Sequence, residues 1–293
     1  SFYVKIKILI LFILSFAAFF LATKKLLENL NKSEEKPNKI FRASLAATLG
    51  GIYYVSNYWF SNRITHFGLF FSTATVPITF YFLYSYLFSE KTQFRKLAML
   101  LVLLSIFTAT PHAALFELLI LFALLSVFLF SKEVQQKTKR IKMLQLIIFG
   151  VLYILINLYW ILPYVAASST PDAVLSESIV NIIGRNAKLT NSVRLMGYWL
   201  TNPKDYFLQP SLPLQTILSF LPVAIFLITL WLSRKNKYLI CTLSILLLSG
   251  CFLSTSSYIT DKFYFFVMFS SPLKTFGWLF REYDKFGIIL TFV

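Results

Sequence analysis

Apolar runs of membrane-spanning length recur along the chain, and they constrain its fold more than any other feature. A helix needs about 20 apolar residues to cross a bilayer. Runs at 6–22, 41–58, 67–88, 113–130, 144–165, 213–232 and 238–255 meet or approach that length. A shorter run covers 97–109, and another opens at Phe286. Only 14% of the residues are charged, against about a quarter in a soluble domain. The mean hydropathy is +0.70. A soluble core of this size has no room for so much apolar surface, whereas lipid accepts it. The expected fold class is therefore all-α: a polytopic transmembrane helical bundle of about eight to ten membrane segments, treated as a single transmembrane domain over residues 1–293. The sequence does not begin with Met and stops inside an apolar run, so it is expected to be a fragment truncated at both ends.

The break between residues 97–109 and 113–130 falls at Thr110-Pro111-His112, where Pro removes a backbone donor. Two short helices meeting at the Pro within the outer leaflet fit this pattern. A single long kinked helix is the alternative, and it sinks His112 and Glu117 deep into lipid. Gly50-Gly51 and the Ala-rich stretch 43–47 allow close helix packing.

The net charge of +16 raises the question of nucleic acid, and its distribution answers it. Basic residues fall in short clusters between apolar runs, not along one face, so no nucleic-acid partner is expected. Loops 23–40 (with Arg42), 89–96, 131–143 and 233–237 hold 17 Lys and Arg against five acids. Loops 59–66, 166–212 and 256–285 hold nine basic residues against six acids. The positive-inside rule puts the first set in the cytoplasm. Loops 166–212 and 256–285 are then extracytoplasmic, and the expected location is the plasma membrane of a prokaryote. Both are long and aromatic, and the amphipathic stretch 173–195 is expected to lie flat at the interface. Cys241 and Cys251, ten apart on one run, are about 15 Å apart on a helix and too distant for a disulfide.

No P-loop, HExxH, GxSxG or paired CxxC occurs. Polar groups instead gather near the outer ends of the runs. The densest set is Phe280-Arg281-Glu282-Tyr283-Asp284-Lys285-Phe286. Arg281 and Lys285 suit an anionic head group. Glu282 and Asp284 can orient those cations, bind a divalent cation through oxygen, or take a proton. The plainer reading is an interfacial anchor. Arg63 and His66 form a second set, against an aromatic belt with a polar turn as its alternative. His112 and Glu117 form a third, because ionisable groups inside membrane runs are functional by default; a satisfied structural His is the alternative. Asp172, in loop 166–212, is a further candidate acid, though loop carboxylates are commonly just solvated. Neither His has a second ligand at metal spacing, so no metal ligand is assigned.

Several of these motifs occur in an order that resembles GT-C-type membrane glycosyltransferases. They are Gly50-Gly51-Ile52-Tyr53-Tyr54, Asn62-Arg63-Ile64, Val76-Pro77-Ile78, Thr110-Pro111-His112, Asn157-Leu158-Tyr159-Trp160-Ile161-Leu162-Pro163 and the stretch from Phe276 to Phe286. The likeness is to archaeal and bacterial GT-C relatives and, more loosely, to the arabinofuranosyltransferases of mycobacteria. It implies a GT-C-like bundle that takes a sugar from a polyprenyl-phosphate donor at the non-cytoplasmic face. The acceptor would be a glycan, lipid or protein of the cell envelope. It also implies a catalytic acid in the first outer loop, upstream of Ser1, which leaves Glu282, Asp284 and Asp172 as the acids within this chain. Arg281, Lys285, Arg63, His66 and His112 are then the substrate-binding candidates. The implied partners are membrane lipids and the polyprenyl-phosphate-linked sugar. A divalent cation, Mg or Mn, is the cofactor such a transfer can use to stabilise the leaving phosphate. Two rivals remain: a transporter or flippase of lipid-linked sugars, which needs charges near the bilayer midplane, and a non-catalytic membrane scaffold subunit.

Overall fold

The computed structural model describes residues 2–30, 36–57, 59–60, 67–89, 93–108, 110–167, 189–195, 217, 220–232, 236–255, 266 and 283–293. Among these residues every regular element is a helix. In chain order they are α1 (Phe2–Leu30), α2 (Lys36–Ser56), α3 (Phe67–Leu87), α4 (Phe94–Phe107), α5 (Pro111–Phe130) and α6 (Gln136–Ala167). There follow α7 (Leu189–Val193), α8 (Leu221–Leu232), α9 (Lys237–Ser254), a 3-10 turn (Tyr283–Phe286) and α10 (Gly287–Phe292). Among the described residues, four stretches are long and apolar enough to cross a membrane: Tyr3–Leu30, Pro111–Phe130, Gln136–Ala166 and Lys237–Ser254. The outward faces bear this out. On α6, Leu144, Ile147, Val151, Ile154, Leu155 and Leu162 are all exposed, a continuous apolar surface that water would penalise and lipid would not. The described part of the chain is all-helical, and its long apolar helices are those of an integral membrane protein.

The chain forms two compact units interleaved in sequence. The first comprises Ser1–Ser56, Ile64–Tyr159 and Asn236–Thr242; the second comprises Asn57–Arg63, Trp160–Lys235 and Leu243–Val293. In the first unit α1 packs on α2 and α3, and α3 packs on α4 and α5. The small residues of α2 make this approach possible. Ala43 and Ala47 are buried, and a Cβ on Gly50 or Gly51 would stand 2.9 Å from the ring of Phe19 or Phe16 on α1. Phe19 also stacks on Tyr54 with ring centroids 4.7 Å apart.

Pro77 lies inside α3 and has no N–H to give the carbonyl four residues back, which is that of Thr73. That oxygen is instead taken by the buried hydroxyl of Tyr54 on α2, at 2.7 Å. The Thr73 side chain meets Ser15 of α1 through a buried hydroxyl pair. One residue thus ties three helices together, on the opening left by a proline.

The far end of α3 gathers several of the basic loops. Lys142 of α6 is fully buried and donates to the Leu87 and Ser89 carbonyls at 2.9 and 2.6 Å. Tyr84 donates to Asn236 Oδ1 at 3.2 Å, and the same oxygen caps α9 through the Leu239 N–H. Lys237 pairs with Glu133 at 2.8 Å, holding that exposed carboxyl below its usual range through the hydrogen bond. Ser89, Glu133, Lys142, Asn236 and Lys237, drawn from basic loops grouped by charge alone in the sequence, are thus tied together in this unit.

The expectation of two short helices at Pro111 is corrected on one count. α4, at 14 residues, spans only about 21 Å. α5, at 20 residues, is long enough to cross alone. The chain does break there as expected: Thr108 closes α4, Thr110 caps α5 by accepting from the Ala113 N–H at 3.3 Å, and Pro111 occupies the first turn. Pro is well placed there, where its missing donor would have lacked a partner anyway.

In the second unit α10 is core. Ile288 and Ile289 are fully buried. A Cβ on Gly250 of α9 would stand 2.8 Å from Leu290, and one on Gly287 would collide with the Trp59 indole. Gly287→Ala should therefore force the indole aside and destabilise the protein by about 1–3 kcal/mol, read as a lower thermal unfolding midpoint in detergent; an unchanged midpoint would show that the ring yields freely. Within the amphipathic stretch 173–195, only 189–195 is described. There Ser192 is buried and donates to the Ser254 carbonyl at 3.1 Å. Leu195 is buried with φ 60°. This end of the stretch packs against the end of α9.

Candidate functional site

Of the residues singled out from the sequence, Arg281, Glu282, Arg63, His66 and Asp172 lie outside the described residues. Asp284 lies in the 3-10 turn, its side chain outside the description. Lys285 is half-buried in that turn, between Tyr283 and Phe286, which are fully buried. Two aromatic residues of the charged stretch are thus core residues.

His112 and Glu117 are described, and both are buried in the first unit, at 5% and 6% exposure. The helix start explains His112: capped by Thr110 and begun by Pro111, α5 turns its first buried positions inward at His112 and Ala113. Phe116, Glu117 and Ile120 continue the same buried face at helical spacing. Glu117 is six residues beyond Pro111, or about 9 Å along the axis. It faces α3, on which Ser72, Thr75 and Thr79 are buried at spacings that place them on one stripe. The Thr79 and Thr75 hydroxyls are near enough to act on its carboxyl. Neither is aligned for a hydrogen bond, and both Glu117 oxygens lack one. The Thr79, Ser72, Thr108 and Tyr153 hydroxyls are buried in the same condition. Tyr54 and Tyr153 lie close enough to feel a charge on Glu117.

Sequence reasoning found Glu117 and missed its surroundings. The signal was present: Ser72, Thr75 and Thr79 recur at helical spacing in an apolar run. Hydroxyls in membrane helices are so often satisfied by the preceding turn that such a stripe does not stand out. Among the described residues, no group of three or more His, Cys, Asp or Glu is placed to hold a metal ion. The carboxylates that would serve a divalent cation beside Arg281 fall outside the description, so no step is assigned to such an ion.

No protein-family model, no curated protein and no solved structure matches the chain.

Proposed function

We propose that this chain is the membrane part of a GT-C-like glycosyltransferase, of about eight to ten membrane segments, which takes a sugar from a polyprenyl-phosphate donor at the non-cytoplasmic face. The reading rests on the order of short motifs. The observation that best supports it is the helix break at Thr110-Pro111-His112, which sets a buried His on the first turn of α5. The donor's chemistry suits the composition as well. A polyprenyl phosphate has its tail in lipid and its phosphate at the interface, so its site must combine apolar surface with cations at head-group depth. Arg281 and Lys285 would grip the phosphate, with Arg63, His66 and His112 as further contacts; the charge asymmetry of the loops puts 256–285 outside. An inverting transfer also needs a carboxylate base.

The test is the geometry of Arg281. Arg grips phosphate through two parallel donors, whereas Lys acts as a point charge. Arg281→Ala should weaken polyprenyl-phosphate-sugar binding by roughly ten- to a hundredfold, and Arg281→Lys should recover only part of the loss. Binding is measured on purified protein at matched folded yield. Equal binding by all three proteins would make the cluster an anchor and remove this site.

A second reading, a transporter of lipid-linked sugars, draws on Glu117, a buried ionisable group inside a spanning helix. Movement of labelled lipid-linked sugar across proteoliposomes, lost in Glu117→Gln, would favour it over group transfer.

A further inference from the structure

The interior of the first unit holds a carboxyl group that has no hydrogen-bond partner among the described residues. Glu117 is 94% buried by its 6% exposure, and among the described residues no Lys or Arg reaches it. Leaving a carboxylate bare in such a place is strongly unfavourable, and evolution of a stable bundle does not require an acid there at all. Its neighbours are of one chemical kind. Thr75 and Thr79 of α3 present hydroxyl oxygens to it, and Ser72 continues the stripe one turn away.

The hydrogen-bond inventory shows what these oxygens are free to do. Thr75 donates to the Ser72 carbonyl at 3.4 Å, which occupies its proton and leaves its lone pairs. Thr79 Oγ1, at 1% residue exposure, and both Glu117 oxygens have no hydrogen-bond partner. The titratable groups that face Glu117 from other helices are Tyr54 of α2 and Tyr153 of α6, and neither supplies positive charge. Buried hydroxyls thus lie beside a carboxyl whose oxygens have no aligned hydrogen bond among the described residues, and all of these oxygens carry lone pairs that a cation can take.

The geometry points to a buried cation site in which both oxygens of Glu117 and the hydroxyl oxygens of Thr75 and Thr79 bind a single Na+ ion between α3 and α5. Oxygen-only ligands suit a hard cation and not zinc or copper. One carboxylate neutralises one positive charge, so a monovalent ion leaves the buried site neutral and a divalent ion does not. A proton would also neutralise Glu117. It would occupy one carboxyl oxygen and leave the other to the Thr79 hydroxyl alone, since Thr75 already donates to the Ser72 carbonyl. A Na+ ion takes lone pairs from all the oxygens together. The site does not depend on the glycosyltransferase reading: an ion held between two helices stabilises their packing whatever the protein transfers.

The experiment is thermal unfolding of the purified protein in detergent, followed by Trp fluorescence, with NaCl exchanged for choline chloride or KCl at constant ionic strength. A ligand that binds only the folded state raises its stability with concentration. The midpoint should rise by roughly 5 °C between about 1 and about 300 mM Na+, with little response to K+. Glu117→Gln keeps the shape and loses the charge, so its midpoint should be flat in Na+. Thr79→Val keeps the carboxylate and loses one ligand, so the same response should need roughly tenfold more Na+. This variant carries the test alone if Glu117→Gln does not fold. Equal midpoints in Na+ and choline would overturn the site and leave Glu117 a protonated acid. Equal responses to Na+ and K+, or a response retained in Glu117→Gln or unshifted in Thr79→Val, would overturn it too.

Discussion

Lys142→Met is expected to lower the stability of the protein by about 3 kcal/mol. The ammonium of Lys142 is fully buried and donates to the Leu87 and Ser89 carbonyls. These lie at and just beyond the C-terminal end of α3, where the last carbonyls have no partner within the helix. A cation there also complements the negative end of the helix dipole. The Tyr86 ring lies 5.6 Å from the ammonium, and the Tyr86 hydroxyl bonds Gln145 on α6. Met matches the length and apolar stem of Lys, so the substitution removes the charge-assisted bonds with little change in packing. The buried Leu87 carbonyl and the part-buried Ser89 carbonyl lose their donor, each such bond contributing about 1.5–3 kcal/mol where it is shielded from water. The measurement is the unfolding free energy in mixed micelles, wild type against variant. A loss under about 0.5 kcal/mol would show that water reaches these carbonyls and that Lys142 is a solvated loop residue, as its place in the basic loop 131–143 suggests from sequence.

Tyr54→Phe is the second. It removes one oxygen from a residue with no exposed surface and strips the Thr73 carbonyl of its donor. The expected loss is about 1–3 kcal/mol. Its cause can be isolated, because the carbonyl is open only while Pro77 is in place. Pro77→Ala returns an N–H at the position that can bond Thr73 within the helix. Tyr54→Phe should therefore cost less in the Pro77→Ala background, by about 1 kcal/mol in a double-mutant cycle. Equal costs in both backgrounds would mean that the proline and the tyrosine act independently. The cycle also bears on the fold, since Thr73 joins α2 and, through its side chain, Ser15 of α1.

Much of the architecture was legible before any coordinates. The runs at 6–22, 113–130, 144–165 and 238–255 became the four described helices long and apolar enough to span, because a backbone in lipid must satisfy its own hydrogen bonds and a helix does so locally. The break at Pro111 was legible for the same local reason. The length of α5 was misjudged: Pro111 begins that helix and removes none of its 20 residues. The run at 213–232 is described as a helix only over its later part, Leu221–Leu232. At the candidate sites, hydropathy marked Glu117 and His112 as unusual but could not say what either meets. Arg281, Glu282, Arg63, His66 and Asp172 belong to loops whose placement lies outside the description.

The sequence by itself determined that this protein is helical, that it lives in lipid, where helix α5 begins, and which loops are basic enough to share a side. Each of these follows from composition within a window of about one span. Only the tertiary structure decided how each helix is rotated about its axis, and with that which polar groups meet. A turn of one position would carry Thr75 and Thr79 off the line of Glu117, take Tyr54 from the Thr73 carbonyl, and expose Lys142. Hydropathy is nearly blind to such rotations in α3 and α5, whose apolar residues are spread around the helix. Side-chain interlock, from Gly50 and Gly51 against the Phe rings of α1 to Pro77 opening α3 to Tyr54, is what selects among them.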